Sequence, residues 1–245
     1  MKPEWFKDWF NTSEYLDVYK HRNEDDAEAH IKLILENVKL KPDASILDMA
    51  CGAGRHSIIL ARKNFKVTAV DLSENLLSVA RQTASDEHLS INFIQSDIRN
   101  FTSNQSFNLV LNLFTSFGYF ESDEENFSVL QKAYNLLEKD GFFVLDYFNS
   151  EYLKKNLISF SKKEIEGGKI IEQRKIESSR CIKKITILKN DNTSEYEESV
   201  KMYEKDELAV MLNKIGFDIY KTFGDFLGNE FNHLQSHRLI MICKK

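Results

Sequence analysis

Residues Ser45–Asp71 read SILDMACGAGRHSIILARKNFKVTAVD. A short apolar run, Ser45 to Ala50, contains one acid, Asp48, and leads into two glycines, Gly52 and Gly54. A helical stretch follows over Arg55 to Lys63, and then a second apolar run, Phe65 to Val70, that ends on Asp71. Strand, glycine turn, helix, strand is the opening unit of a parallel α/β sheet. So sharp a turn favours glycine, because the backbone passes close to a ligand and can adopt positive φ. The amides at the following helix start attract negative or polar ligand groups. Asp71, at the end of the second strand, can accept hydrogen bonds from two ribose hydroxyls. Together these features specify a nucleoside-containing ligand at the C-terminal edge of a parallel sheet.

The same alternation continues on both sides. Upstream, residues 11–40 read as helical, with Ala27, Ile31, Ile34, Leu35 and Val38 at three- and four-residue spacings and Pro42 as the stop. Downstream, Ser73–Ala84 is a helix with Ser73 as N-cap, and Ile91–Ile94 and Phe107–Leu113 are strands. Ser122–Glu138 is a helix opened by a Ser122/Glu125 capping box and followed by Gly141, and Phe142–Tyr147 is a fifth strand. Strands that are apolar throughout imply a sheet covered on both faces.

The pattern breaks after Asn149. Alternation over Ile170–Ile176 and Ile182–Leu188, with turn signals at Gly167-Gly168 and Asp191-Asn192, predicts three or four antiparallel strands. A helix over Lys205–Ile215 stops at Gly216, and Phe217–Phe223 and His237–Cys243 read as closing strands. Residues 1–149 are thus expected to hold the N-terminal helices and the ligand-binding core, 150–203 an antiparallel β insertion, and 204–245 the rest of the core. Between Lys162 and Lys189 the insertion carries nine Lys/Arg against four Glu. That fits a solvated outer face, or a lid handling an anionic substrate.

Composition agrees with one large domain plus an insertion. The chain has 245 residues, 42% of them hydrophobic and 29% charged, with a net charge of -5, which excludes a disordered or fibrous chain. No apolar run approaches the ~20 residues needed to span a bilayer. Met1–Phe10 lacks the pattern of a secretory signal. Cys51, Cys181 and Cys243 are scattered, with no CxxC pair, which argues against a disulfide framework or a cysteine metal site and points to the cytoplasm. The acidic balance disfavours a long phosphate-contacting track, so no nucleic-acid partner is expected.

Detail in the glycine turn selects the ligand. A dinucleotide fingerprint wants a third glycine, G-x-G-x-x-G, where this chain has Ser57. Asp48 is awkward beside a pyrophosphate but suits a ligand with an ammonium group. An adenosyl moiety bearing an amino-acid tail, S-adenosylmethionine, fits both the turn and Asp71. A nicotinamide-dependent oxidoreductase, NAD(P)-linked, and a non-catalytic nucleoside-cofactor-binding protein are the alternatives.

The chain resembles the class I S-adenosylmethionine-dependent methyltransferases. The likeness rests on ILDMACGAGRHS, on VDLS, on the Asp97-Ile98 pair after FIQS, on LVLNLFTSFGYF and on LLEKDGFFVLDYFN, in that order. It runs from about Ser45 to Asn149 and resumes near Tyr203. The runs GRHSIILA and NLFTSFGYF look like a bacterial small-molecule branch whose members often carry an antiparallel sheet inserted after the fifth strand. The resemblance implies a Rossmann-like seven-stranded sheet, mostly parallel with the last strand antiparallel, and helices on both faces. It also implies S-adenosylmethionine as cofactor and S-adenosylhomocysteine as product.

Carried over residue by residue, it implies that Ala50, Cys51, Gly52 and Gly54 contact the methionine part and that Asp48 meets its ammonium. Asp71 would bind the ribose, Leu72 would pack on adenine, and Asp97 and Ile98 would bond the adenine edge. Asn112, Leu113 and Phe114 would line the pocket beside the sulfonium, and Tyr15, Tyr19 and Arg22 of the N-terminal helices would close over it. Tyr119, Tyr147, His233 and Arg238 are candidates for acceptor contact, and no residue stands out as a catalytic base. The fourth strand ends in Asn112-Leu113-Phe114-Thr115 rather than Asn/Asp-Pro-Pro-Tyr/Phe, so a small-molecule acceptor, such as an amine, a carboxylate or a phenol, is expected for a monomer or homodimer.

Overall fold

The computed structural model describes residues 4–19, 24–190 and 192–245. Three helices come first: α1 (Trp5–Trp9), α2 (Ser13–Tyr19) and α3 (Glu24–Asn37). The core then runs β1 (Ser45–Met49), α4 (Arg55–Arg62), β2 (Lys66–Asp71), α5 (Glu74–Asp86), β3 (Ile91–Gln95), β4 (Phe107–Asn112), α6 (Asp123–Leu136) and β5 (Leu137–Phe148). After α7 (Ser150–Asn156) come β6 (Phe160–Ile165), β7 (Gly168–Glu177), β8 (Arg180–Lys189) and β9 (Asn192–Lys201). The chain closes with α8 (Lys205–Ile215), β10 (Asp218–Phe223) and β11 (Arg238–Lys244).

Seven strands form one sheet in the order β10-β11-β5-β4-β1-β2-β3. All neighbours from β3 to β5 pair in parallel, and β11 runs antiparallel to both β5 and β10. The order reverses between β1 and β4, so a crevice opens at their carboxyl ends, where ligands bind in such sheets. Side-chain alternation divides the core between the two faces. Leu47, Val110, Phe143, Leu145 and Met241 pack with α6 and α8. Ile46, Leu109, Leu111, Val144, Ile240 and Ile242 pack with α3 and α4.

Two boundaries differ from expectation. The helix predicted to reach Glu138 ends at Leu136, because Leu137 turns extended and pairs with Phe107 at the start of β5. The stretch read as helical over 11–40 contains α2 and α3, and the short aromatic helix α1 precedes them.

The inserted strands make a separate four-stranded sheet in the order β6-β7-β8-β9, antiparallel throughout. Its central turn is Ser178-Ser179, both residues at positive φ (50° and 56°), the conformation a two-residue hairpin requires. The sheet is tied to the core loop after β4. Arg180 donates to the carbonyls of Gly118, Tyr119 and Phe120 at 3.1–3.2 Å. The Lys201 amide donates to the Gly118 carbonyl at 2.8 Å. Among the described residues no helix is long and apolar enough to cross a membrane.

Candidate functional site

A cleft of about 670 Å³ lies over the carboxyl ends of β1, β2 and β4, a size usual for small-molecule sites. Its floor is the glycine turn. Ala50 (φ 59°), Gly52 (φ 57°) and Gly54 (φ 78°) all take left-handed backbone. A Cβ on Gly52 would meet nothing within 4 Å, and Gly52 lines the cleft, so the bare backbone is what the cleft sees. Gly54 serves packing instead. A Cβ there would sit 2.8 Å from Ala80 Cβ of α5, and Gly54 is not among the lining residues.

Asp48 and Asp71 stand side by side beneath this turn, both buried. The Ser57 hydroxyl donates to Asp48 Oδ2 at 2.6 Å, so the residue standing where a third glycine would be has a partner of its own. Burial, reinforced by the neighbouring Asp71 charge and only partly offset by Ser57 and Arg55, pushes the Asp48 carboxyl up to about 7. Asp71 accepts the Gly52 amide at 2.7 Å and the Ser73 amide at 2.9 Å. Burial still raises its carboxyl against those two bonds. Each carboxylate oxygen keeps acceptor capacity beyond these contacts.

Asp97 lies farther along the same edge. Burial would raise its carboxyl, but the hydrogen bonds from Arg99 outweigh that and hold it below its ordinary value. Arg99 also bonds Glu4 of the N-terminal segment and Glu125 of α6, the latter at 2.9 Å, and its guanidinium lies 4.4 Å from the Phe120 ring centre. The wall beyond β4 is a turn in which Phe114 (φ 53°) and Thr115 (φ 63°) are both left-handed. Arg55 and Arg238 flank the Phe114 ring at 4.9 and 5.8 Å.

The N-terminal helices cover the cleft with aromatic rings. Phe10 packs on Tyr15 at 5.0 Å, Tyr15 on Tyr19 at 4.8 Å, and Trp5 on Tyr119 at 5.4 Å. On the far side, β8 and β9 present Lys183, Glu198 and Val200. Glu198 accepts from Trp9 Nε1 at 2.7 Å, Tyr19 OH at 2.5 Å and Lys183 Nζ at 2.7 Å. Lys189 pairs with Asp17 at 2.8 Å. Lys183, the inserted-sheet cation that lines the cleft, is therefore already matched by a carboxylate.

A family model described as a methyltransferase domain matches residues 46–141, the stretch holding the glycine turn, Asp71, Asp97 and the wall after β4. A protein of Geobacillus sp. (strain WCH70) with a provisional methyltransferase name is 26% identical over 82% of this chain and 84% of its own length. The glycine/sarcosine N-methyltransferase of Aphanothece halophytica is 26% identical over 84% of this chain and 76% of that protein. An S-adenosylmethionine-dependent methyltransferase from Clostridium acetobutylicum ATCC 824 shares the fold with a TM-score of 0.81, at 19% identity over 94% of this chain and 95% of that one. Residues 46–141 thus match a methyltransferase domain, set in a fold shared with an S-adenosylmethionine-dependent methyltransferase.

Most of the residues singled out in this methyltransferase's sequence meet at one cleft. Tyr15, Tyr19, Asp48, Ala50, Cys51, Gly52, Asp71, Leu72, Asp97, Ile98, Leu113, Phe114 and Tyr119 all line it. Asn112 does not; it is buried behind the wall with its side-chain amide 3.3 Å from the Ser116 carbonyl. Arg22 falls outside the described residues. Three acceptor candidates also sit elsewhere. Tyr147 is fully buried and its hydroxyl donates to the Lys201 carbonyl, which makes it a tie to the inserted sheet. His233 is exposed on the loop before β11. Arg238 pairs with Asp146 behind Phe114.

The cleft also holds residues that the sequence did not flag as site residues. Arg55 and His56 follow Gly54 directly on α4, and His56 is kept neutral, chiefly by burial and then by the neighbouring His30. Glu198 and Lys183 come from the insertion, and Trp5 and Phe6 from the short first helix. Proximity to the glycine motif was a usable signal for Arg55. Glu198 offered none, since its partners Trp9 and Tyr19 are 189 and 179 positions away. Among the described residues no group of three His, Cys, Asp or Glu side chains is placed to hold a metal ion.

Proposed function

We propose that this methyltransferase transfers the methyl group of S-adenosylmethionine to a nitrogen of a small polar amine held between the core and the inserted sheet. The observation that carries the reading is the cleft itself: bare Gly52 backbone, two buried acids, and an aromatic cover over a space of about 670 Å³. The relative that methylates glycine and sarcosine by name supports an amine acceptor. The matched charge at Lys183–Glu198, which lines the cleft, favours a neutral or amphoteric acceptor over a strongly anionic one. In this reading residues 1–149 and 204–245 form the cofactor-binding core and 150–203 the substrate lid. The three cysteines, all free thiols, suit a cytoplasmic enzyme acting as a monomer or homodimer.

The residues present fit the cofactor. In this reading Asp71 takes the ribose hydroxyls, Asp48 the ammonium and Asp97 the adenine amino group. Leu72 and Ile98 supply the apolar sides of the adenine slot, and Ala50, Cys51 and Gly52 a floor for the methionine chain. The cofactor supplies a methyl group already activated by positively charged sulfur. The chain therefore has to align the nucleophile, exclude water and stabilise moving charge. The Phe114 and Tyr119 faces favour cationic groups nearby. The aromatic cover keeps water out.

The test is label transfer. Purified protein is incubated with methyl-labelled S-adenosylmethionine and either a panel of small amines, glycine, sarcosine and amino sugars among them, or a cell metabolite extract. The expected result is label on a small amine, abolished by Asp71→Ala. Label on protein or nucleic acid only, or no labelled small molecule from any pool, overturns the acceptor class.

A further inference from the structure

The structure assigns Asp146 as the positioning residue that holds the Phe114-Thr115 wall in its reactive shape. The assignment rests on the reading above that this wall borders the site of methyl transfer. Asp146 lies on β5 and is fully buried. Its Oδ2 accepts the Phe114 amide at 2.8 Å, and its backbone carbonyl accepts the Thr115 amide at 3.0 Å. Its Oδ1 takes Arg238 through Nε at 2.8 Å and through a terminal nitrogen at 2.6 Å. The same arginine reaches the Thr115 hydroxyl at 3.1 Å.

These contacts converge on two consecutive residues at φ 53° and 63°. Neither is glycine, and Thr115 is β-branched, the type least tolerant of positive φ. Such backbone persists only when its surroundings over-determine it. His30, with Nδ1 4.0 Å from Oδ2, faces Asp146 as well, and His56, packed on His30 at 5.4 Å and held neutral by burial, also feels the Asp146 charge. Burial, and then Arg238, push the His30 imidazole down to about 3, so it stays neutral and Arg238 supplies the counter-charge. His30 instead stacks on Phe226 at 4.4 Å, and Phe226 packs on Phe114 at 5.5 Å, an apolar backing for the same turn. The wall is thus braced by a charged clamp on one side and rings on the other.

The probe is S-adenosylhomocysteine, titrated by calorimetry. Asp146→Asn keeps an oxygen for the Phe114 amide but removes the charge that holds Arg238. Affinity should fall about tenfold or more, while in a Thr115→Gly background, where positive φ is free, the same change should cost about threefold or less. Equal losses in both backgrounds, or unchanged affinity for Asp146→Asn, overturn the positioning role. If Asp146→Asn does not fold, Arg238→Lys carries the same comparison, because it keeps the charge and loses the two-pronged contact. Asp71→Ala runs alongside. Unchanged affinity there sinks the cofactor reading itself, whereas a loss there with no effect at Asp146 sinks only this assignment.

Discussion

Replacing Asp48 with asparagine removes a carboxyl that the fold holds where ionisation is unfavourable. The side chain is 1% exposed and its carboxyl is raised from 3.8 to about 7, with burial the largest cause. The sign follows from proton linkage. The folded state binds the proton more tightly than the unfolded chain, so stability is highest at low pH and falls as pH rises between the two values. At 1.36 kcal/mol per unit, a carboxyl shifted this far costs the folded state about 4 kcal/mol once it is ionised. Asparagine keeps the shape and can still accept from Ser57, but it does not ionise. Relative to the parent, Asp48→Asn should gain about 3 kcal/mol between about pH 5 and about pH 8. For a chain of this size that is a relative rise in Tm of roughly 5–10 °C across the same range. The assay is thermal unfolding of both proteins, free of cofactor, at a series of pH values. Parallel curves, with a constant gap, would refute the claim that Asp48 is the residue titrating there. The variant should also bind S-adenosylhomocysteine more weakly, so stability and affinity move in opposite directions.

Further outcomes follow from the same geometry. Asp71→Ala should lower S-adenosylhomocysteine affinity by about a hundredfold, from loss of charge-assisted bonds to two hydroxyls, with the circular dichroism spectrum retained. Gly54→Ala should destabilise by about 2–4 kcal/mol in chemical denaturation, because positive φ and the 2.8 Å approach to Ala80 act together. Gly52→Ala meets no such contact and carries only the cost of positive φ, about 1 kcal/mol, so calorimetry beside denaturation would separate the two glycines. Glu198→Gln should cost about 1–2 kcal/mol, because Lys183 loses its carboxylate at 2.7 Å but keeps Glu172 at 3.7 Å. Burial alone would raise the Glu198 carboxyl, but Lys183 and the hydrogen bonds hold it low. Its contribution should therefore stand at neutral pH and disappear as pH falls through the lowered value, a loss that the glutamine variant would not show.

What could be read from the sequence, and what could not, divides along the distance over which each feature is determined. β1, β2, β4 and β5 declared themselves because strands buried on both faces are apolar runs, and the turn declared itself because Gly52 and Gly54 sit between a run and a helix. The insertion carried turn signals at Gly167-Gly168 and Asp191-Asn192, of which Asp191 lies outside the described residues, but the central turn uses Ser178-Ser179, and serine at positive φ leaves no signature in composition. α1 is five residues of mixed aromatic and charged type, too short for a period, and its place is set by Trp9 meeting Tyr196 at 4.2 Å and Glu198 at 2.7 Å. Ser57 makes the same point at the centre of the site. In the sequence it is an absent glycine that weakens a dinucleotide reading. In the fold its hydroxyl bonds the buried Asp48 at 2.6 Å, so the feature that argued against one cofactor helps hold the acid that suits another. Ser57 and Asp48 are nine positions apart, on a helix and the strand before it, and only the closed turn brings them together. Arg238 shows the limit from the other side. A cation near the end of the last strand invites a substrate role, yet its counter-ion on β5 is 92 positions away, and that pairing turns it from a ligand group into part of the wall. Local chemistry in this chain is thus legible where one turn of backbone determines it, and becomes legible elsewhere only after the sheet has set its register.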